Sequence, residues 1–330
     1  MPNLPKPRLR RSGRGVEPHR PAPSAEPRVE VVEHGGLRWI NIERPGPGEQ
    51  AWLEEHFEFH PLAYEDVRSR NQRPKIDEYE DYLFIVLHFP VFDKAVGRLN
   101  SGELDIFIGP DFLITLPNTP LPPVEYLFER CRGSADVREQ LFGSGTGFLL
   151  YKIVDDSFDY CFPMLRKMGN KLDRVEEEIF EGRAEEVVRD ISNVKQEIIN
   201  FRKIIRPQRP VLRDLERTKQ RYLAEGLELY FEDIEDASER IWDMLENYKE
   251  VVEALEATNE SVISHRVNDI LRVLTSISVI VLPLTLIASV FGMNVHVPGQ
   301  GDVAAFWVVM GVMAALLGGM LYVFRRRGWL

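Results

Sequence analysis

Cysteine is almost absent from this chain: Cys131 and Cys161 are the two in 330 residues, isolated and without ligand spacing. They fit a reducing compartment and nothing more. The nucleotide and hydrolase signatures are missing as well. No Gly-x-x-x-x-Gly-Lys loop, His-Glu-x-x-His pair or Gly-x-Ser-x-Gly elbow occurs, so neither ATP-driven work nor catalysis has residue support. His56 and His60 stand four apart, a metal spacing on a helix, but no third ligand lies near them. The N-terminus lacks an apolar h-region, which predicts no signal peptide. An excess of basic charge is lacking too. With 41 Lys and Arg against 52 Asp and Glu, the net charge of -11 argues against a nucleic-acid partner and for a surface that attracts cations.

Two further absences are positional. From Pro210 to Pro283 there is no proline, and between Gly226 and Gly292 no glycine. Without either breaker one helix can run from about Leu227 to Phe291, on the order of 100 Å at 1.5 Å per residue. Charge vanishes next. Val273–Phe291 and Ala304–Phe324 are uncharged runs of about 19 and 21 residues, each long enough to span a hydrocarbon core. The first is the end of the long helix, so a cytoplasmic event can move the membrane span directly. The loop between them has no Lys or Arg, whereas Arg266 and Arg272 precede the first span and Arg325-Arg326-Arg327 follow the second. The positive-inside rule then predicts a multi-pass protein of the cell inner (plasma) membrane with both termini cytoplasmic.

The remainder divides by composition. Residues 1–28 are rich in Pro and Arg and poor in large apolar side chains, which reads as a disordered tail. Across 29–147 the strand patterns "VEVVE", "LRWINI", "YLFIVLHF", "ELDIFIG" and "FLITLP" alternate with the helical "EQAWLEEHF", "PLAYEDV" and "PPVEYLFERC". That predicts a compact α/β domain. From 148 to 226 the patterns are helical and charged, with a stop at Arg206-Pro207. The expected order then continues with a stalk helix running into the first span (227–291), an external loop (292–303), a second span (304–324) and a basic cytoplasmic tail (325–330). The fold class is α+β, a cytoplasmic α/β domain with long stalk helices followed by two C-terminal transmembrane helices.

Two spans cannot enclose an aqueous path, but several copies can assemble in the lipid bilayer around an axis. Asn268, Leu271, Leu274, Ser278, Leu282, Thr285 and Ser289 share one face of the long helix, at an average spacing near 3.6. A symmetric ring of such faces makes a narrow pore in which apolar constrictions alternate with hydroxyl belts. Hydroxyls bonded back to their own helix are the ordinary alternative. At the end of this span stands Gly292-Met293-Asn294. Gly292 ends the helix and leaves its last carbonyls without intrahelical partners, and Asn294 adds one amide oxygen per subunit. Mg2+ gives up its water reluctantly and prefers octahedral oxygen, so a neutral oxygen ring can hold the hydrated ion without trapping it. A plain helix cap followed by a turn is the other reading of the same triplet.

The long helix ending in "LPLTLIASVFGMN", the short loop, the second span and the "RRRGWL" tail together resemble the CorA family of magnesium transporters. Gly292-Met293-Asn294 matches the family's signature triplet, and "FHPLAYEDV" and "QRPKIDEYEDYLFIVL" look like its N-terminal domain. The resemblance runs from about Val31 to Leu330. It implies a funnel-shaped homopentamer that takes up Mg2+ passively, driven by the membrane potential, with Co2+ and Ni2+ as further divalent substrates. It puts Gly292, Met293 and Asn294 in the outer selectivity ring and Asn268, Leu274, Leu282 and Thr285 at pore-facing positions. It also implies regulatory Mg2+ between cytoplasmic domains, closing the pore when internal Mg2+ is ample. Asp66 would then face Asp233 of a neighbouring subunit, with Glu65 and Asp155 at a second nearby site. One departure is the loop "VHVPGQGDVAAF", which lacks the family's acidic turn and offers Asp302 instead.

Two other functions stay open at this point. One is a zinc transporter of the same superfamily, against which Met293 counts because that branch tends to vary the middle residue of the triplet. The other is a membrane-anchored oligomeric scaffold without transport, which needs neither flux nor the triplet.

Overall fold

Two glycines with positive φ, Gly35 (+59°) and Gly36 (+86°), turn the chain between its first two strands, β1 (Glu30–His34) and β2 (Leu37–Asn41). A two-residue hairpin needs that left-handed backbone at both positions, and glycine adopts it without steric cost. The computed structural model describes residues 27–69, 72–93, 97–218, 226–293 and 302–329. The segment expected to be a disordered tail thus lies, up to residue 26, outside the described residues.

After β2 come α1 (Pro47–His56) and α2 (Pro61–Ser69), each with proline as its first residue, where the missing N–H is not needed. Four strands follow: β3 (Lys75–Glu78), β4 (Leu83–Asp93), β5 (Arg98–Ile108) and β6 (Phe112–Pro117). The six-stranded sheet has the order β1-β2-β6-β5-β4-β3. Every pairing is antiparallel except β2 with β6, which is parallel. One face carries Ile40, Ile42, Phe84, Val86, Phe107, Ile114 and Leu116, covered by Leu53 of α1 and Ala63 and Val67 of α2. The other face receives α3 (Pro122–Gly133) and α5 (Thr146–Asp159), seated by edge-on ring contacts, Trp39 on Phe128 at 4.9 Å and Phe89 on Phe158 at 5.4 Å. A short α4 (Ala135–Phe142), capped by the Ser134 hydroxyl, connects them.

The helical part comprises α6 (Cys161–Phe180), α7 (Val188–Ile205), α8 (Gln208–Thr218), α9 (Glu228–Phe291) and α10 (Val303–Arg326). The break between α7 and α8 falls at Arg206-Pro207, where proline disfavours helix for the residue before it. Buried residues on α6 (Cys161, Leu165, Met168, Leu172, Val175, Ile179) follow a strict four–three spacing. The same spacing recurs on α9, through Phe231, Ile234, Ser238, Ile241 and Leu245 and again through Val252, Leu255 and Asn259. That is the apolar seam of a coiled coil, with two polar residues set into it.

Contacts divide the chain into two units. The first, up to Lys167 together with Glu197–Glu246, contains the sheet and the helices on its faces. There Gln208 is fully buried, and its amide replaces a strand partner for β4 beyond the end of β3. It accepts from the His88 N–H at 2.9 Å and donates to the His88 carbonyl at 2.5 Å. The second unit holds Met168–Gln196 and Asn247–Leu330. In it Gly169 makes room for Tyr248, whose hydroxyl oxygen would lie 2.8 Å from a Cβ at that position. Lys195 pairs with Glu256 at 2.5 Å, and Arg266 donates to the Gly182 carbonyl at 2.7 Å. Among the described residues two helices are long and apolar enough to cross a membrane, α9 through its last third and α10 entire.

Candidate functional site

Along the apolar end of α9 burial falls on one side. Ser276 and Ile280 are buried, and Val279 lines an apolar groove with Ala315, Leu316 and Gly319 of α10. Asn268, Leu271, Leu274, Ser278, Leu282, Thr285 and Ser289 are all exposed within the single chain; all but Asn268, which lies about a quarter to a third of a turn away, stand roughly half a turn from Ser276 and Ile280 at 100° per residue. Leu282 is 68% exposed and Leu274 58%, a large apolar surface that the described residues leave mostly uncovered. The hydroxyls donate inward: Ser278 to the Leu274 carbonyl and Thr285 to the Val281 carbonyl, both at 2.9 Å. A hydroxyl whose proton is spent on its own helix still presents oxygen lone pairs outward. The stripe therefore offers acceptors to the water shell of a cation.

At the end of this helix Gly292 donates to the Ala288 carbonyl at 2.9 Å and Met293 to the Val290 carbonyl at 3.4 Å, closing the last turn. A Cβ at 292 would sit 3.1 Å from the Ala288 oxygen, so glycine relieves crowding there. Asn294, expected in the outer ring, lies outside the described residues. Asp302 uses one carboxylate oxygen to cap α10, accepting from the Ala304 N–H at 3.0 Å.

The four acids expected to bind a regulatory ion fall into two clusters. Glu65 is exposed on α2, and Asp66 beside it is half-buried. Asp66 is engaged by the Lys75 ammonium at 2.6 Å, and Lys75 reaches Asp77 at the same distance. Burial opposes the charge on Lys75, but the hydrogen bonds it donates to Asp66 and Asp77 outweigh that and hold the ammonium above its ordinary range. In the second cluster Asp155 of α5 is clasped by Lys152 at 2.8 Å, which also holds Asp156 at 2.7 Å. Asp233, exposed at the start of α9, is brought near by Tyr151, which packs at a tilt against Tyr230 with ring centroids 4.8 Å apart. Burial, then the negative charges of Asp155 and Asp233, push the Tyr151 hydroxyl up to about 12. So Asp155 and Asp233 share one neighbourhood, and Glu65 and Asp66 another. Among the described residues of one chain no group of three metal-binding side chains converges. The donors are hard oxygens that suit Mg2+, which keeps several waters and takes one or two carboxylates. Such a set fits a site completed by a second chain and by water.

Sequence reasoning passed over several residues. Glu103 and Asp105, two apart on β5, point to the same sheet face and are buried; one oxygen of each lacks a hydrogen-bond partner, that of Glu103 lying 3.4 Å from His88 Nε2. Burial first, then Glu103 and Asp66, raise the Asp105 carboxyl well above the carboxylate range. The i, i+2 spacing inside "ELDIFIG" was the available signal. Lys75 and Lys152 carried no signal beyond having acidic neighbours. The histidines of the four-apart pair each act locally: His56 stacks on Trp52 at 4.1 Å, and His60 Nδ1 accepts from the Leu62 N–H at 3.2 Å. Both cysteines are buried and free; burial pushes the Cys131 thiol up to about 11 and Cys161 higher still.

Comparison with known proteins decides the family. The model of the CorA-like Mg2+ transporter proteins matches residues 34–326. The chain belongs to that family. It is accordingly a divalent-cation transporter of the membrane and not an enzyme. YfjQ of Bacillus subtilis is 32% identical, over 91% of this chain and 93% of its own. The cobalt/magnesium transport protein CorA of Thermotoga maritima is 30% identical, over 84% of this chain and 78% of its own. In fold the chain resembles the complete CorA magnesium transporter of Methanocaldococcus jannaschii. That TM-score is 0.79 at 24% identity, covering 89% of this chain and 92% of the other.

Proposed function

We propose that the protein assembles as a funnel-shaped homopentamer in the cell inner membrane and conducts Mg2+ passively into the cytoplasm through a pore lined by the last third of α9. Co2+ and Ni2+, hydrated ions of similar size, pass by the same route. The observation that carries this reading is the uncovered stripe from Asn268 to Ser289, with leucines alternating with hydroxyls whose lone pairs face out. Five such faces around an axis cover one another's leucines. The leucine rings form constrictions that dewet when narrow, and the oxygen belts receive the ion with its water. No fuel is needed. For a doubly charged ion an inside-negative potential of 100 mV supplies about 4.6 kcal/mol, roughly a 2,000-fold accumulation.

Gly292, Met293 and Asn294 form the outer mouth, five amide oxygens selecting the hydrated ion. Both termini face the cytoplasm, held there by Arg325, Arg326 and Arg327. Regulatory Mg2+ bridges Asp66 of one subunit and Asp233 of the next, with Glu65 and Asp155 beside it. Carboxylates from two chains repel unless a divalent cation joins them, so falling internal Mg2+ frees the α9 helices to splay. The test is Mg2+ uptake by Asn294→Ala, with assembly checked by sizing. The substitution removes the entry ring and nothing from the core, so uptake is lost while assembly stays intact. Wild-type flux in an intact assembly overturns the reading.

A further inference from the structure

Each cluster that supplies a proposed regulatory ligand is built the same way. A half-buried lysine stands between two aspartates within 2.8 Å of both: Lys75 between Asp66 and Asp77, Lys152 between Asp155 and Asp156. In both cases one aspartate is the ligand and the other is a spare. The ammonium is a compact point charge with three donors on a flexible stem, so it occupies a carboxylate much as a small cation does.

We infer that Lys75 and Lys152 are resident competitors of the regulatory Mg2+, and that the spare carboxylates of Asp77 and Asp156 receive them when the ion takes Asp66 and Asp155. The inference rests on the reading of Asp66 and Asp155 as regulatory ligands. Its physical content is an exchange of partners. Mg2+ cannot reach the Asp66 oxygen held at 2.6 Å by Lys75 until the ammonium moves, and a lysine leaving its only partner inside a half-buried pocket would lose its whole pairing. Asp77 removes that loss, because the second bond is already made. The ligand carboxylate therefore stays paired without the ion, which keeps each empty half-site stable. The sensor's threshold is set by how strongly the lysine competes. Apparent Mg2+ affinity equals the intrinsic affinity reduced by the fraction of carboxylate the lysine occupies.

The two members of each unit act with opposite signs, which separates competition from plain structural support. Lys75→Gln removes the competing charge and lowers the Mg2+ concentration that half-protects the full chain from protease, by roughly two- to fivefold for a partly exposed pair. Asp77→Asn removes the spare and fixes Lys75 on Asp66, so the midpoint rises. Lys75→Arg keeps the charge and does not lower it. Lys152→Gln and Asp156→Asn repeat the pair of signs, and decide the matter should a variant at 75 fail to fold. The readout is protection by added MgCl2 in detergent, independent of transport. Midpoints of both Lys→Gln variants equal to or above wild type overturn the inference. Asp66→Ala run alongside distinguishes the two failures: if it leaves the midpoint unchanged, the sensor reading falls and this inference with it. If Asp66→Ala shifts the midpoint and the lysine variants do not, the inference alone falls.

Discussion

Replacing Asn259 by Leu should tighten the packing of α9 ahead of its apolar span. Asn259 sits in the seam of α9, four residues after Leu255, and is 3% exposed. Its side-chain oxygen has no hydrogen-bond partner. A buried acceptor left unsatisfied costs about 1–3 kcal/mol, and leucine removes it with an apolar side chain of the same branching and heavy-atom count. The gain should appear where the seam opens locally, so hydrogen exchange is the assay of choice. Peptides covering 248–265 should exchange about 5- to 150-fold more slowly, since every 1.4 kcal/mol is a factor of ten. Peptides from the β-sheet should be unchanged. A polar residue at such a seam position fixes register and lowers stability. The proposed gating moves the membrane end of this helix, so that loosening has a use there, and Asn259→Leu should also slow opening on Mg2+ removal. Exchange in 248–265 as fast as wild type, or faster, would refute the reasoning, for it would mean the amide is satisfied in its place.

Three other outcomes follow from named groups. Replacing both Asp66 and Asp233 by Ala should weaken Mg2+ protection of the full chain from protease; an unchanged midpoint would exclude this pair as the sensor. Asp105 keeps its proton well above the usual carboxylate range through burial, so the folded state holds a proton that the unfolded chain has released. That contribution is complete below the unfolded value and is lost as pH rises through the folded one, so Asp105→Asn should gain melting temperature over wild type as pH rises from 4; a pH-independent difference would contradict it. Gln208→Ala leaves the His88 N–H and carbonyl without the partners they have now, at about 1–3 kcal/mol each, and the His88 amide should exchange faster; unaltered protection there would mean water or another side chain replaces the amide.

What was legible beforehand were the elements with strong periodicity or strong absences. The Gly35-Gly36 turn, the apolar stretches within β4 and β5 and the uninterrupted α9 all announce themselves, because turn chemistry, β-branched runs and the lack of breakers are local properties. The two apolar spans are legible for the same reason. What depends on pairing at a distance was not. Nothing local tells that β2 lies parallel to β6, or that Gln208, 120 positions along the chain from His88, completes the edge of β4. The acids of the proposed regulatory clusters could be named through a family motif. Their lysine partners could not, because the Lys75–Asp66 bond joins a strand to a helix nine residues before it and a lysine among acids usually marks a solvated surface. Asp105 was hidden by its neighbours: in "ELDIFIG" the alternation reads as a half-wet strand, whereas α2 covers that face.

The central claim is passive conduction of Mg2+ driven by the membrane potential, and uptake into proteoliposomes holding only this protein tests it most directly. With a potassium gradient and valinomycin setting the inside-negative potential, and no nucleotide present, Mg2+ entry should be graded with the imposed voltage and should stop when the potential is collapsed. Internal Mg2+ should suppress it. Entry that ignores the voltage, or that appears only when ATP is supplied, would contradict the account.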